Sequence, residues 1–260
     1  MYDLAALEAA LAGTIFAGKL HYARSTGSTN SDAMDAARED AVHGSVFLAE
    51  EQTAGRGRGD HAWHSAWGQG LYVSMVVRLP LASSHMPFLP LVAGLAAAGA
   101  IRAATGLAVD LRWPNDLLIG ARKTGGILVE SQSERGRLSF AVIGVGVNVH
   151  QQSFETGLAT PATSLDLETG RWCDRQTLLI ELLQRLEQET RDLLDPASAA
   201  EIPSRVAQLS TWVSGRHVEV HGPQACSGIT DGLDGNGFLR VRTATGVVQI
   251  QTGGIRALDA

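Results

Sequence analysis

Between residues 45 and 149 the chain is written almost entirely in short β-rich runs bounded by glycine, and this stretch decides the fold class. Val46 to Ala49, Leu71 to Leu79, Ala108 to Trp113, Ile127 to Glu130 and Leu138 to Val149 have strand lengths and β-branched or apolar content. Backbone donors and acceptors in such runs must pair with one another, so the segments predict a sheet. One Ala-rich helical segment, His85 to Thr105, interrupts them and closes on Gly106 as a C-terminal glycine. Helical spacing at Leu4, Leu7, Ala10 and Leu11 predicts a helix within residues 1–12, and the cluster Ser28-Thr29-Asn30 predicts the start of another over Ser31 to Glu39. Gln176 to Leu194 is the clearest amphipathic helix, with a leucine stripe and Asp174 as its cap. The combination is an α+β chain.

After Ala207 the texture changes to short strands at His217 to Val220, Cys226 to Thr230, Phe238 to Arg242 and Val247 to Gln251, separated by glycine turns. About 50 residues of such strands predict a small barrel. A length of 260 residues fits one large domain plus a small module, here divided as 1–208 and 209–260. An apolar content of 45% is enough for a core, and a net charge of −6 gives no bulk reason to bind nucleic acid. Too little chain precedes residue 20 to build a helix-turn-helix, so no DNA partner is expected. Cys173 and Cys226 stand far apart and form no disulfide scaffold, and no stretch reaches the ~20 apolar residues that span a bilayer. These features predict a cytoplasmic globular protein with no membrane partner. A strand such as Leu138 to Val149 also offers side-by-side sheet pairing between two copies, which makes a homodimer possible.

Glycine is 29 of 260 residues, about 11% against a usual ~7%, and its placement is uneven. Gly55-Arg56-Gly57-Arg58-Gly59 follows a strand ending in Glu50-Glu51-Gln52, with no helix after it, which excludes a dinucleotide fingerprint or a phosphate loop. Alone, such a run is a solvated hairpin tip; in company, its two guanidinium groups can clamp phosphate or carboxylate. The second cluster is Arg112-Trp113-Pro114-Asn115-Asp116, followed by Lys123 and Gly125-Gly126. Pro114 breaks a strand and sets Asn115 and Asp116 at a sharp turn, while Gly126 permits close backbone approach beside Lys123. Either piece alone is ordinary turn chemistry or a solvated charge. Lys123 is nonetheless one of only two lysines, with Lys19, among 21 basic residues. In the third cluster, Gly144 and Gly146 interrupt an apolar strand that ends at Asn148, marking a bulge, a packed helix or a ligand. The histidine pairs His61/His64 and His217/His221 each lack a third ligand for a metal.

Taken in this order, the clusters resemble the catalytic domain of biotin protein ligase, also called biotin–[acetyl-CoA-carboxylase] ligase. The matching residues are Ser28-Thr29-Asn30, Glu51 to Arg58, Trp63, Arg112 to Asp116, Lys123 with Gly125 to Glu130, Gly144 to Asn148 and Ala162 to Leu165. The resemblance implies a class II aminoacyl-tRNA-synthetase-like (biotin/lipoate ligase) catalytic domain, with a mixed sheet and flanking helices, and a small SH3-like barrel at the C-terminus. It implies that biotin and ATP, with Mg²⁺, give biotinyl-5′-AMP and pyrophosphate, and that biotin then passes to a lysine of the biotin carboxyl carrier domain of a biotin-dependent carboxylase. By the same resemblance Ser28, Thr29, Asn30, Gln52, Gly55, Arg56, Gly57, Arg58, Lys123 and Gly126 bind biotin. Arg58, Trp63, Asn115, Asp116, Lys123 and Asn148 bind ATP or the adenylate, and Lys123, Asp116, Arg56 and Arg58 are the catalytic set.

Three features depart from the family pattern. Asp60 and His61 stand where a second Gly-Arg pair is usual, and Arg112 replaces a lysine, keeping charge but not geometry. The repressor role of some relatives is not expected without a DNA-binding segment. Two rival readings are a lipoate or octanoate ligase of the same fold, which would not be expected to combine Gly-Arg-Gly-Arg with Trp-Pro-Asn-Asp, and a non-catalytic biotin sensor or adaptor, against which Lys123 and Asp116 both speak.

Overall fold

A computed structural model describes residues 1–59 and 61–258, which form two sheets with helices packed around the first. The first sheet contains β1 (Leu20–Thr26), β2 (Val46–Gln52), β3 (Gly70–Val77), β4 (Asp110–Arg112), β5 (Asp116–Ile119), β6 (Arg122–Glu134) and β7 (Arg137–Asn148). Its spatial order is β1-β2-β3-β7-β6-β5-β4, with β1 and β2 parallel and every other pair antiparallel. The helices are α1 (Leu4–Ala10), α2 (Thr29–Arg38), α3 (Phe88–Thr105), α4 (Leu165–Thr169), α5 (Arg175–Asp192) and α6 (Pro196–Gln208). A second, wholly antiparallel sheet follows: β8 (Ser214–His221), β9 (Cys226–Leu233), β10 (Leu239–Thr243), β11 (Gly246–Ile250) and β12 (Gly254–Ala257), in the order β11-β10-β9-β8-β12.

The two-residue period of the strands sorts side chains between two layers. Leu71, Val73, Met75 and Val77 of β3 and Ala141, Ile143, Val145 and Val147 of β7 join the main core with α3 and α5. On the opposite face Val76, Phe140 and Val142 pack under Ala33, Met34 and Ala37 of α2. Further along that face β7 presents only Gly144, Gly146 and Asn148, and there the layer opens into a cleft. The leucine stripe of α5 (Leu178, Leu179, Leu182, Leu183, Leu186) is fully buried, contributing about 1.5–3 kcal/mol per side chain. Asp174 caps this helix through the amides of Gln176 and Thr177, and Gly106 ends α3 at φ +82°. Among the described residues α3 is the one helix long and apolar enough to cross a membrane, and 72% of it is buried within the fold.

Several expectations need correction. The strand over Leu138 to Val149 is β7, and both its edges are used, by β3 and by β6; a strand has only two pairing edges, so it cannot pair with a second copy. The strand at Ile127 to Glu130 extends from Arg122 to Glu134 and takes in Lys123. Asp116 lies in β5, just past the Trp113–Asn115 turn, and α2 begins at Thr29 rather than Ser31, with Ser28 as an N-cap whose hydroxyl makes no capping bond. The other lysine, Lys19, is structural, since its ammonium donates to the carbonyls of Ile15 (2.7 Å) and His43 (2.9 Å).

Candidate active site

The glycine-bare face of β6 and β7 lies at the base of a cleft of about 1480 Å³. Gly126 and Gly146 are direct cross-strand partners and Gly144 is opposite Leu128, so the sheet there presents backbone rather than side chains. Above it runs the segment after β2, folded back as a hairpin by hydrogen bonds from Gly57 N to His61 O (2.7 Å) and from Trp63 N to Gly55 O (2.8 Å). All fourteen residues singled out above line this one cleft: Ser28, Thr29, Asn30, Gln52, Gly55, Arg56, Gly57, Arg58, Trp63, Asn115, Asp116, Lys123, Gly126 and Asn148. Asp60 lies outside the described residues, and His61 turns its Nδ1 back to the Arg58 carbonyl at 2.9 Å.

A β-bulge brings the central pair together. Asp116 pairs with Gly126 and Leu117 with Gly125, but Leu118 pairs with Lys123, leaving Thr124 as the extra residue. One inserted residue reverses the facing of what precedes it, so Lys123 emerges on the same side as Asp116 and Gly126. Its Nζ lies 2.6 Å from Asp116 Oδ1 and 5.6 Å from the centre of the Trp63 ring. Ala162 to Leu165 holds this strand from outside: Lys123 N donates to Pro161 O (2.7 Å), Thr163 N donates to Lys123 O (2.9 Å), and Ser164 caps α4.

Asp116 is held from its other side by Arg112, whose Nε (3.0 Å) and Nη2 (2.6 Å) both donate to Oδ2. Burial alone would raise its pKa; Lys123 and Arg112 outweigh burial and hold the carboxyl below the usual aspartate range. Asn115 ties the turn to β6, its Nδ2 donating to Ile127 O at 3.0 Å and its carbonyl accepting from Ile127 N at 2.9 Å.

At the opposite end Gln52 accepts from Thr29 N (2.9 Å) and Thr29 Oγ1 (3.1 Å) and donates one of its two amide N–H groups to Ser65 Oγ (2.7 Å). Ser28 Oγ and Asn30 Oδ1 are buried beside it with no hydrogen-bond partner among the described residues. Such atoms cost about 1–3 kcal/mol each unless something else satisfies them, which marks this end for a polar ligand. Trp63 Nε1 is a third orphan. Arg56 reaches across the cleft to Glu130 (2.6 Å), which also accepts from Asn30 Nδ2, whereas Arg58 donates to Gly253 O and to Thr252 Oγ1 of the second sheet. Asn148 donates to Thr163 O (3.1 Å) and accepts from Gln151 (3.3 Å). Sequence reasoning gave no role to Glu130, Ser65, Ser74, Thr160 or the Thr252-Gly253 turn; Glu130 alone carried a signal, as the last residue of the Gly-Gly-Ile-Leu-Val-Glu run.

A Cβ at position 146 would lie 2.6 Å from Trp63 Nε1 and one at 144 would lie 2.5 Å from Asn30 Oδ1. Gly146→Ala should therefore displace the indole and lower stability by about 1–3 kcal/mol, read from urea unfolding midpoints. Gly126→Ala is the control, because its Cβ would meet nothing closer than 3.5 Å.

A sequence profile of the biotin/lipoate A/B protein ligase family matches residues 22–148. The bifunctional ligase/repressor BirA of Bacillus spizizenii is 40% identical over 64% of this chain and 52% of its own length, so the chain spans about half the length of that relative. The biotin–[acetyl-CoA-carboxylase] ligase of Mycobacterium tuberculosis is 33% identical over 88% of this chain and 85% of its own. Among solved structures, the biotin protein ligase of Aquifex aeolicus in complex with biotin and ATP superposes with a TM-score of 0.78 at 26% identity, covering 94% of this chain and 100% of that one.

Proposed function

We propose, from the premise that the chain belongs to the biotin/lipoate A/B protein ligase family, that it activates biotin with MgATP and transfers it to a lysine of a biotin carboxyl carrier domain. The observation that carries this reading is the order of groups along the cleft: unpartnered polar atoms of Ser28 and Asn30 at one end, the Lys123–Asp116 pair beyond them, and Arg56 and Arg58 above. A ureido ring matches the first end, because Asn30 Oδ1 accepts from a ring N–H and the Ser28 hydroxyl donates to the ring carbonyl. Thr29 and Gln52, bonded to each other, line the same end, and the Gln52 amide keeps a second N–H to offer the ring. The biotin carboxylate lies toward Lys123.

In the first step a carboxylate oxygen bonds to the α-phosphorus of ATP, the bond from that phosphorus to the bridging oxygen breaks, and pyrophosphate leaves with the electron pair. Two anions must meet, and Lys123, Arg56 and Arg58 offset their repulsion. Mg²⁺ arrives as part of the substrate MgATP, for which phosphates, waters and one or two protein carboxylates suffice. Among the described residues no group of three or more His, Cys, Asp or Glu forms a dedicated metal cage. Trp63, with its free indole N–H, Asn115 and Asn148 face the nucleotide.

In the second step the neutral acceptor amine attacks the acyl carbon, the bond from that carbon to the phosphate oxygen breaks, AMP leaves with the electron pair, and the surplus amine proton passes to solvent. A free lysine is deprotonated in only about 1 in 2,500 molecules at neutral pH. When Lys123 turns to the acyl phosphate, Asp116 Oδ1 is released to accept an N–H of the incoming amine, while Arg112 retains Oδ2. Residues 1–208 form the catalytic domain in this reading and 209–260 the SH3-like module, with a carboxylase carrier domain as partner and a cytoplasmic setting.

Pyrophosphate release with biotin but not lipoate or octanoate, followed by labelling of a carrier domain, is the expected result. Release with lipoate instead would favour the sister ligase, and biotin binding without release would favour a sensor. Asp116→Asn should slow transfer from preformed adenylate by at least ~10²-fold, with a smaller effect on adenylate formation.

A further inference from the structure

The connection between α6 and β8 is laced to the edge strand β4 that carries Arg112. Leu111 N donates to Leu209 O (2.8 Å), Ser210 Oγ donates to Leu111 O (2.6 Å), and Thr211 donates to both carboxylate oxygens of Asp110 (2.8 and 2.6 Å). These bonds fix Trp212, only 6% exposed, with its ring 5.1 Å from the Arg112 guanidinium carbon and 4.0 Å from that of Arg216. Arg112 is thereby gripped on all sides: its fork lies on Asp116 Oδ2, Nη2 also donates to Thr160 Oγ1 (2.9 Å), and its plane meets an indole. An arginine uses all of these contacts at once, whereas a lysine at this position would offer a single point charge and no plane to stack.

We propose that Trp212 is a positioning residue for Asp116, acting through Arg112, so that the junction between the two sheets sets the direction of the carboxylate that receives the acceptor amine. The proposal rests on the ligase reading for the step in which it is felt. Lys123 on β6, Arg112 on β4 and Arg58 on the hairpin are the charges facing Asp116, and of these only Arg112 touches Trp212. Loosening Arg112 leaves Lys123 in place, so adenylate formation is spared and transfer is not.

Trp212→Leu keeps an apolar side chain and removes the ring face; Trp212→Phe keeps a face. Rates of adenylate formation and of transfer from preformed biotinyl-adenylate are measured separately for each at neutral pH, with unfolding midpoints and the Asp116 carboxyl titration alongside. Trp212→Leu should slow transfer roughly 3–30-fold, the scale of a partly buried cation–π contact. It should also shift the Asp116 carboxyl titration upward, and Trp212→Phe should recover most of the loss. If the leucine variant does not fold, Arg216→Ala, which removes the ring's second guanidinium contact, should give a smaller shift in the same direction. Equal losses in both steps with an unmoved Asp116 titration, or no change in either, would overturn the proposal. A wild-type chain that makes no biotinyl-adenylate sinks the ligase reading separately. The Asp116 carboxyl titration, followed by carbon NMR, then decides: an upward shift in Trp212→Leu supports the positioning role and superposable curves overturn it.

Discussion

Replacing Lys123 with alanine should slow pyrophosphate release from biotin and MgATP by about 10²–10³-fold, the cost of one preorganised donor to a transition-state oxygen. Its Nζ is the cation at the middle of the cleft, 2.6 Å from Asp116, with Gly126 leaving open the space beside it. The chain should remain folded. Asp116 keeps two hydrogen bonds from Arg112 when Lys123 is gone, so no buried carboxylate is left without a partner. Single-turnover pyrophosphate release and the urea midpoint therefore separate the two roles: the rate falls and the midpoint holds. A rate within threefold of wild type would remove Lys123 from the chemistry.

The motifs around this lysine were legible because each is local. Gly55 to Arg58, Arg112 to Asp116 and Gly144 to Asn148 each combine residue types that turns, bulges or ligands require within a few positions. What the sequence does not display is how their faces align. The bulge at Thr124 changes the side on which Lys123 emerges, and nothing in Arg122-Lys123-Thr124-Gly125 announces it. The role of the glycines at 126, 144 and 146 likewise depends on which strands are neighbours, since a bare surface needs two strands to expose glycine at the same register.

Missed elements have their own reasons. β1 carries Arg24 and Ser25 on a sheet edge and lacks a buried alternation, and α6 contains Pro196 at its first turn and Pro203 within it. Residues 209–212 look like a linker and act as a brace for β4. Edge availability is also invisible in one dimension: Leu138 to Val149 reads as a strong strand for the same reason that it is unavailable, because so apolar a run is buried at the middle of the sheet.

Arg175→Ala should destabilise the fold by about 3–5 kcal/mol at neutral pH, because it strips the guanidinium from a buried carboxylate and leaves it two hydrogen bonds and an exposed N-terminal ammonium 4.0 Å away. Glu50 is completely buried at the middle of β2, and Arg175 at the first turn of α5 donates to its Oε2 at 2.8 Å and to Gly70 O at 3.0 Å. Tyr22 donates its hydroxyl (3.1 Å) and Tyr2 its backbone N–H (3.2 Å) to Oε1. Burial pushes the Glu50 pKa up, but the hydrogen bond and charge of Arg175, with the Tyr22 hydroxyl, hold it below the usual glutamate range. A depressed carboxylate pKa stabilises the fold above the unfolded value of about 4.3, and that contribution is lost as pH falls through the lower folded value. Without Arg175 the sign reverses, since burial then dominates, the folded pKa rises, and protonation relieves the strain of the lone charge. The gap between wild type and Arg175→Ala should thus be widest near neutrality and shrink as pH falls, first through the variant's raised Glu50 pKa and then, below about 4.3, through the lowered wild-type one. Replacing the pair together, by Glu50→Leu with Arg175→Met, should recover much of the loss, because two apolar side chains avoid the desolvation cost. Urea midpoints at the two pH values test this ordering. A gap that does not change with pH would show that Arg175 acts through its packing against Tyr2, whose ring lies 4.8 Å from the guanidinium carbon, rather than through its charge.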